Sequence, residues 1–168
     1  MGYYTQHGKE YPITADLLHS GARLSGTMCD GHTDGEYSLF EVAQEAGLPP
    51  GADEQIEAKV REVLPDAPAG PIRYVSRLPS GSVLEGRCKG PTVYFLKTYQ
   101  GSSFSGYKAG DQLLGIKKEG HAVHYEGCLS PDGMEIEGRW WIDADPEYGT
   151  RRTEGLFLLR RHQRADRG

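Results

Sequence analysis

The stretch from Thr92 to Asp143 constrains the fold more than any other part of this 168-residue chain. It contains three runs in which apolar and polar residues alternate: TVYFLKTY, HAVHYEGCL and MEIEGRWWID. Because successive side chains of a β-strand point to opposite faces, this alternation is typical of strands with one buried face. The segment SPDG between the last two runs fits a tight hairpin turn. The stretch therefore predicts an antiparallel β-meander.

Further strand-like segments, rich in aromatic and β-branched residues, flank the meander. They are Gly2–Gln6, Tyr11–Leu18, ARLSGTMCD, PIRYVSRL, VLEGRCKG, QLLGIKK and TEGLFLLRR. Short strands in sequential order favour an all-β fold, an up-and-down antiparallel barrel of about 8–10 strands, because closure removes exposed sheet edges. Residues 101–110 are too rich in Gly and Ser for a strand, so we expect either a plain solvent loop or a lid at the barrel mouth.

Residues 38–64 change the period of the pattern. Ser38 and Glu41 have the spacing of a helical capping box, and Gly47 suits the end of a first short helix. Ile56, Val60, Val63 and Leu64 follow at the spacing of one helix face. We expect a helical hairpin inserted into one barrel domain that spans residues 1–168, with its apolar stripes laid on an end or flank of the barrel.

Composition narrows the classes of function. A net charge of −5 and a pI near 5.7 argue against a nucleic-acid partner. There is no membrane-spanning apolar run and no signal-peptide pattern, so a cytoplasmic protein without a membrane partner is expected. Cys29, Cys88 and Cys128 have no disulfide or zinc spacing and are expected to be reduced. No cofactor or metal motif is present, and neither is expected.

Six segments, taken in order, resemble the strands of the avidin and streptavidin barrels, which belong with the lipocalins to the calycin group. They are YYTQHG for the first strand, ITA with RLSGTM for the next hairpin, then VLEGRC, TVYFLKTYQG, AVHYEG and EIEGRWWI. The resemblance implies a ligand-binding barrel that assembles into a homo-oligomer through its outer faces. The residues that hold biotin are not kept, since Thr5, Lys9, Met28 and Asp30 replace an Asn, a Ser, a Tyr and a Ser.

The resemblance also implies which side chains face the lumen. These are Tyr3, Thr5, Gly26, Met28, Leu84, Cys88, Phe95, Val123, Tyr125 and Trp140. Lys97 shares the face of Phe95 and is expected either to anchor an anionic or carbonyl-bearing ligand group or to extend to the mouth. Trp141, next to Trp140, is expected outside, and His121 and His124 are expected on opposite faces.

We therefore expect non-enzymatic binding of a small, mainly apolar or aromatic molecule in the lumen, with no catalytic residue. The expected ligand-binding residues are Tyr3, Thr5, Met28, Cys88, Phe95, Lys97, Tyr125 and Trp140. One alternative is a protein-interaction or regulatory module whose barrel core is packed. The other is a barrel isomerase or cyclase that uses Lys97, Tyr125 or His121 as acid or base.

Overall fold

A computed structural model describes residues 1–6, 8–147 and 149–162, and within these ranges it contains 12 strands and two helices. In chain order they are β1 (Gly2–Gln6), β2 (Lys9–Ser20), β3 (Arg23–Asp30), β4 (Asp34–Ser38), α1 (Leu39–Glu45), α2 (Ala52–Val63), β5 (Arg73–Arg77), β6 (Gly81–Lys89), β7 (Thr92–Tyr99), β8 (Ser102–Ala109), β9 (Gln112–Glu119), β10 (Ala122–Leu129), β11 (Glu135–Ile142) and β12 (Thr153–Arg160). The chain divides into two compact units, one formed by Met1–His32, Ser80–Gln100 and Gly120–Gly168 and one by Thr33–Pro79 and Gly101–Glu119. A single domain over residues 1–168 stays a prediction.

The first unit is a closed antiparallel barrel of eight strands. Its strands pair in the order β1, β2, β3, β6, β7, β10, β11 and β12, and β12 returns to β1 through pairs such as Gly2 with Leu159. Every barrel strand therefore lies beside the barrel strands that precede and follow it in the chain, as in an up-and-down barrel. The predicted fold class is confirmed.

The barrel interior is built from the alternating faces of the long strands. Trp140, Tyr125 and Phe95 lie opposite one another on three neighbouring strands, and all three side chains are buried. Glycines make room for these rings. A Cβ on Gly155 would lie 2.6 Å from Nε1 of Trp140, and one on Gly127 would lie 3.0 Å from the ring of Phe157. Close packing of large rings thus depends on glycines across the strands.

Strand β1 has the opposite phase to the one that the resemblance implies. Tyr4 pairs with the buried Phe157, whereas Tyr3 pairs with Leu158. Directly paired residues share a face, so Tyr4 faces inward and the interpretation of Tyr3 and Thr5 as lumen residues was wrong. Tyrosines at both positions 3 and 4 leave the phase of this short strand unspecified, and its pairing with β12 decides it.

The second unit is a four-stranded antiparallel sheet, in the order β4, β5, β8 and β9, with both helices between β4 and β5. The predicted helices are confirmed, and α1 begins with the capping box, in which Ser38 and Glu41 each satisfy a backbone N–H of the other. The apolar stripe of the helices packs on this sheet, so the expectation that it lies on an end or flank of the barrel was wrong. Its core contains Leu39, Val60, Ile72 and Ala109, with Ile56, Leu64, Ala67, Tyr74, Tyr107 and Leu114 around them.

The expected loop at residues 101–110 is instead mostly strand β8, paired with β5 on one side and β9 on the other. The loop prediction was wrong, and so was the lid. Gly101 and Gly110 have positive φ angles of 117° and 58° and lie just outside the ends of the strand. Gly106 pairs with Gly115, and the hydrogen bonds from two flanking strands outweigh the low strand propensity of Gly and Ser.

Candidate functional site

A buried ion pair lies inside the barrel. Lys97, on the inner face of β7, places its Nζ 2.7 Å from both carboxylate oxygens of Asp30 at the end of β3. The same ammonium donates to the Tyr99 hydroxyl at 2.9 Å. The side chains of Lys97 and Asp30 are each 1% exposed. We call these three residues the Lys97 cluster.

Every N–H of the buried Lys97 ammonium has a hydrogen-bond acceptor within the Lys97 cluster. An ammonium has three N–H bonds, and three acceptor oxygens surround Nζ. Burial lowers the pKa of Lys97, and the Asp30 carboxylate opposes this shift. Burial, followed by the charge of Asp30, raises the pKa of Tyr99. Lys97 does not extend to the mouth, so that interpretation was wrong.

Aromatic side chains gather at the barrel end where β3 and β7 finish. This aromatic end contains Tyr4, Tyr11, His32, Tyr99, His121 and Trp140. Tyr4 stacks on Tyr11 with 5.2 Å between ring centroids and meets Trp140 edge-on at 5.8 Å. Tyr99 stacks on His121 at 5.8 Å.

Exposure increases outward across the aromatic end. Tyr99 and Trp140 are buried, Tyr4 and Tyr11 are half-buried, and His32 is exposed. The indole N–H of Trp140 donates to the carbonyl oxygen of Thr5 at 3.0 Å, which fixes the orientation of the ring. The aromatic end therefore forms a graded, largely apolar rim above the Lys97 cluster.

The middle of the barrel is a packed aromatic stack. Phe95 and Tyr125 lie parallel with centroids 4.8 Å apart, and Phe157 meets Tyr125 edge-on at 5.0 Å. Burial raises the pKa of the Tyr125 phenol, and the charge of Asp30 adds to the shift. Leu24 and Leu159 continue the buried apolar core. Polar chemistry is thus concentrated on one side of this stack.

The expected ligand residues fall into three groups. Met28, Phe95, Lys97, Tyr125 and Trp140 are buried in the barrel interior. Cys88 is on the inner face but lies four residues along β6 from Leu84, which pairs with Lys97, and so belongs to the other end. Tyr3 and Thr5 are on the outer face. Ligand contact at any of these positions stays a prediction.

The expected ligand residues leave out three members of the site, namely Asp30, Tyr99 and Tyr4. Strand alternation places Tyr99 on the face of Lys97, and Asp30 on the face of Met28. The alternation therefore gave the faces of Asp30 and Tyr99, but not their contact with Lys97. Tyr4 carried no such signal, because its phase depends on pairing with β12.

The outer wall carries a second aromatic group. The His124 ring stacks on Trp141 with centroids 5.0 Å apart. Its Nδ1 shares a 2.9 Å hydrogen bond with the Tyr94 hydroxyl, and its Nε2 lies 3.0 Å from the Asp143 carboxylate. Trp141 lies outside and His124 lies on the face opposite to His121, as the alternation predicts. Because the two histidines lie on opposite faces, they cannot act together on one substrate.

Within the described ranges, no group of His, Cys, Asp or Glu side chains is arranged to hold a metal ion. Cys29, Cys88 and Cys128 are free thiols. Neither helix in the part of the chain that the structure describes has the length and apolar character needed to cross a bilayer.

Comparison with known proteins returns no relationship. No protein-family model matches this chain. No curated protein matches it, and no solved structure matches it.

Proposed function

We propose that the aromatic end of the barrel binds a small, mainly apolar or aromatic molecule, with the Lys97 cluster as the polar floor of the site. The observation that carries this proposal is the gradient of exposure at the aromatic end. Half-buried tyrosines surround that end, and a buried carboxylate, ammonium and phenol lie beneath them.

The chemistry of the rim matches that of small-molecule sites, which are mostly apolar and aromatic with a few fixed polar groups. The faces of Tyr4 and Tyr11 offer flat contact area, and tyrosine loses little conformational entropy when it is ordered. Burying two charges costs several kcal/mol per ion, roughly, and a hydrophobic pair is often as stable or more so. The presence of the Lys97–Asp30 ion pair inside the barrel therefore favours a role in recognition.

Three broader features belong to the same proposal. An eight-stranded up-and-down barrel with its ligand at one end is the arrangement that the calycin resemblance implies. Assembly into a homo-oligomer through the outer wall is a further part of it. Three free cysteines support a reducing, cytoplasmic setting.

The binding proposal is tested by a ligand screen on a matched pair of variants. Flat apolar and aromatic molecules are screened by thermal shift and native mass spectrometry. Tyr4→Ala removes an inward ring, and Tyr3→Ala removes the same side chain from the outer face of the same strand. We expect Tyr4→Ala to weaken binding by about tenfold or more, which is about 1.4 kcal/mol, and Tyr3→Ala to leave it unchanged. Equal loss in both variants would contradict a site at the aromatic end.

A packed interaction module is the second candidate, and it has its own supporting observation. The Phe95, Tyr125 and Phe157 rings fill the middle of the barrel, and Nζ of Lys97 has no N–H left for a ligand. Trp140→Ala separates the two candidates. In a binding site it abolishes ligand affinity, whereas in a solid core it mainly lowers stability, by about 3–5 kcal/mol.

A further inference from the structure

Lys97 differs in environment from an ordinary surface lysine. Its Nζ lies between the Asp30 carboxylate and the Tyr99 hydroxyl, 4.3 Å from the centroid of the Tyr99 ring, inside an aromatic barrel. Burial lowers its pKa. A lysine amine is nucleophilic only when it is unprotonated, and desolvation favours that form.

We infer that Lys97 forms a covalent imine with an aromatic or conjugated aldehyde that enters through the aromatic end. This inference rests on the proposed function and specifies its ligand class, because the Lys97 cluster contains the three groups that imine formation needs. Nζ supplies the nucleophile, and the Asp30 carboxylate receives its proton. The Tyr99 hydroxyl accepts a hydrogen bond from Nζ in the structure, and once Asp30 is protonated it can turn its own proton to the carbonyl oxygen.

The reaction balances with groups that are already present. Asp30 takes one proton from the Lys97 ammonium, and the Nζ lone pair attacks the aldehyde carbon while the carbonyl electrons move to oxygen. Nζ loses its second proton to that oxygen, which gives a carbinolamine. Asp30 then returns its proton to the hydroxyl, water leaves, and the C=N bond forms. One aldehyde and one amine become one imine and one water, with no oxidant or reductant.

Geometry explains why Lys97 is favoured over the other lysines. After water leaves, a protonated imine keeps its positive charge at the original position of Nζ, so Asp30 remains 2.7 Å away as its counter-ion. The ring face of Tyr99 adds cation–π stabilisation. The flat body of the aldehyde extends toward Tyr4 and Tyr11. Entry requires the rim side chains to turn aside, and the ligand ring then occupies the space they leave.

The experiment combines reductive trapping with peptide mapping on the 168-residue chain. Benzaldehyde, cinnamaldehyde and biphenyl-4-carbaldehyde are each offered with sodium cyanoborohydride, which reduces an imine to a stable secondary amine. Each aldehyde is paired with its alcohol, which has the same flat body but cannot form an imine. Alcohol binding, followed by native mass spectrometry, reports on the proposed function alone.

We expect the label on the peptide containing Lys97 to form faster than the label on Lys117, because burial lowers the pKa of Lys97 and the Asp30 carboxylate lies beside Nζ to receive its proton. Lys117 is the control because its side chain is 70% exposed. Lys97→Met should abolish the label, and Tyr4→Ala should slow it. If Lys97→Met does not fold, peptide mapping of the unsubstituted protein still shows whether Lys97 carries the label.

Each outcome has one meaning. A label on Lys97 supports the imine. If the alcohols bind and Lys97 is unlabelled, whether or not exposed lysines carry the label, the imine inference is overturned and the binding proposal stands. If no aldehyde or alcohol in the panel binds or labels Lys97, both are overturned.

Discussion

Asp30 and Lys97 are 67 positions apart in the sequence, yet their side chains form an ion pair inside the barrel in which each is 1% exposed. Their mutual attraction offsets the loss of hydration only while both partners are present. The stability of the barrel core and the chemistry of the site therefore depend on the same two side chains.

Removing one member of the Lys97–Asp30 ion pair should lower the stability of the protein. We expect Asp30→Ala to lower the free energy of unfolding by about 3–5 kcal/mol, because an unpaired ammonium stays in an apolar interior. The control is Glu126→Ala, which breaks the solvent-exposed pair with Arg139 on the same barrel and should cost about 0–1 kcal/mol. Urea unfolding followed by tryptophan fluorescence measures both. Similar losses would show that the Lys97 cluster is hydrated.

The buried phenols should resist ionisation. Burial raises the pKa of both Tyr99 and Tyr125, so the folded protein keeps protons that the unfolded chain releases above a pH of about 10. The stability contributed by these two groups is complete below that pH and falls as the pH rises beyond it. Lys97 acts in the opposite sense, because its lowered pKa makes stability increase with pH up to its ordinary range near 10.5.

The measurement is a spectrophotometric titration of phenolate beside far-UV circular dichroism. We expect part of the phenolate signal to appear only together with alkaline unfolding. Tyr99→Phe and Tyr125→Phe should each reduce that delayed part. Complete ionisation of all tyrosines in the folded protein would contradict the burial of these two rings.

Some secondary-structure elements are determined by their own local sequence. Long strands with clear alternation, such as β7 and β11, could be placed with their inward faces from the sequence, because the period of two extends over eight residues. Both helices were also predictable from the sequence, since α1 begins with a capping box and α2 carries an apolar stripe. The local sequence of each of these elements is therefore sufficient to predict its secondary structure.

Other elements depend on partners far away in the chain. The phase of β1 is decided by β12, and β8 exists as a strand because β5 and β9 flank it. The site follows the same rule. Lys97 could be placed inside the barrel from β7 alone, but its partner is on β3, and no local pattern pairs the two. The sequence therefore predicts the walls of the site better than its contacts.

A matched pair in α2 tests the helix packing. Val60 is buried in the core of the second unit, whereas Val63 is 60% exposed on the same helix. We expect Val60→Asp to destabilise that unit by about 2–4 kcal/mol, because it buries an unpaired charge, and Val63→Asp to have little effect. Amide exchange across α1 and α2 measures the difference. Unchanged exchange in Val60→Asp would show that the apolar stripe is not buried.

At the scale of the whole molecule, the barrel contains all of its own strand pairs. Each insertion lies between barrel strands whose ends are adjacent, since Cys29 pairs with Gly81 and Thr98 pairs with Ala122. Both tryptophans belong to the barrel, so indole fluorescence reports on that unit alone.

We therefore expect the barrel to fold when residues 33–79 and 101–119 are each replaced by a short turn. The shortened chain should unfold cooperatively in urea and keep the blue-shifted emission of a buried Trp140. A control chain that also lacks residues 153–160 should not do so, because it loses β12 and barrel closure. Loss of cooperative unfolding in the first chain would show that the inserted sheet is required for the barrel.

The seam between β1 and β12 sets the order of events during synthesis. Strands β2 to β10 of the barrel find both neighbours as the chain lengthens, but β1 and β11 each have a single neighbour until residues 153–160 have been made. Until then the nascent protein is an open, curved sheet with two unpaired edge strands. A sheet with exposed edges is prone to aggregate by pairing with strands of another chain. Pairing of β1 with β12 has the largest sequence separation of any strand pair in the barrel, so it forms last. This closure removes the exposed strand edges through which the new chain could aggregate with other copies.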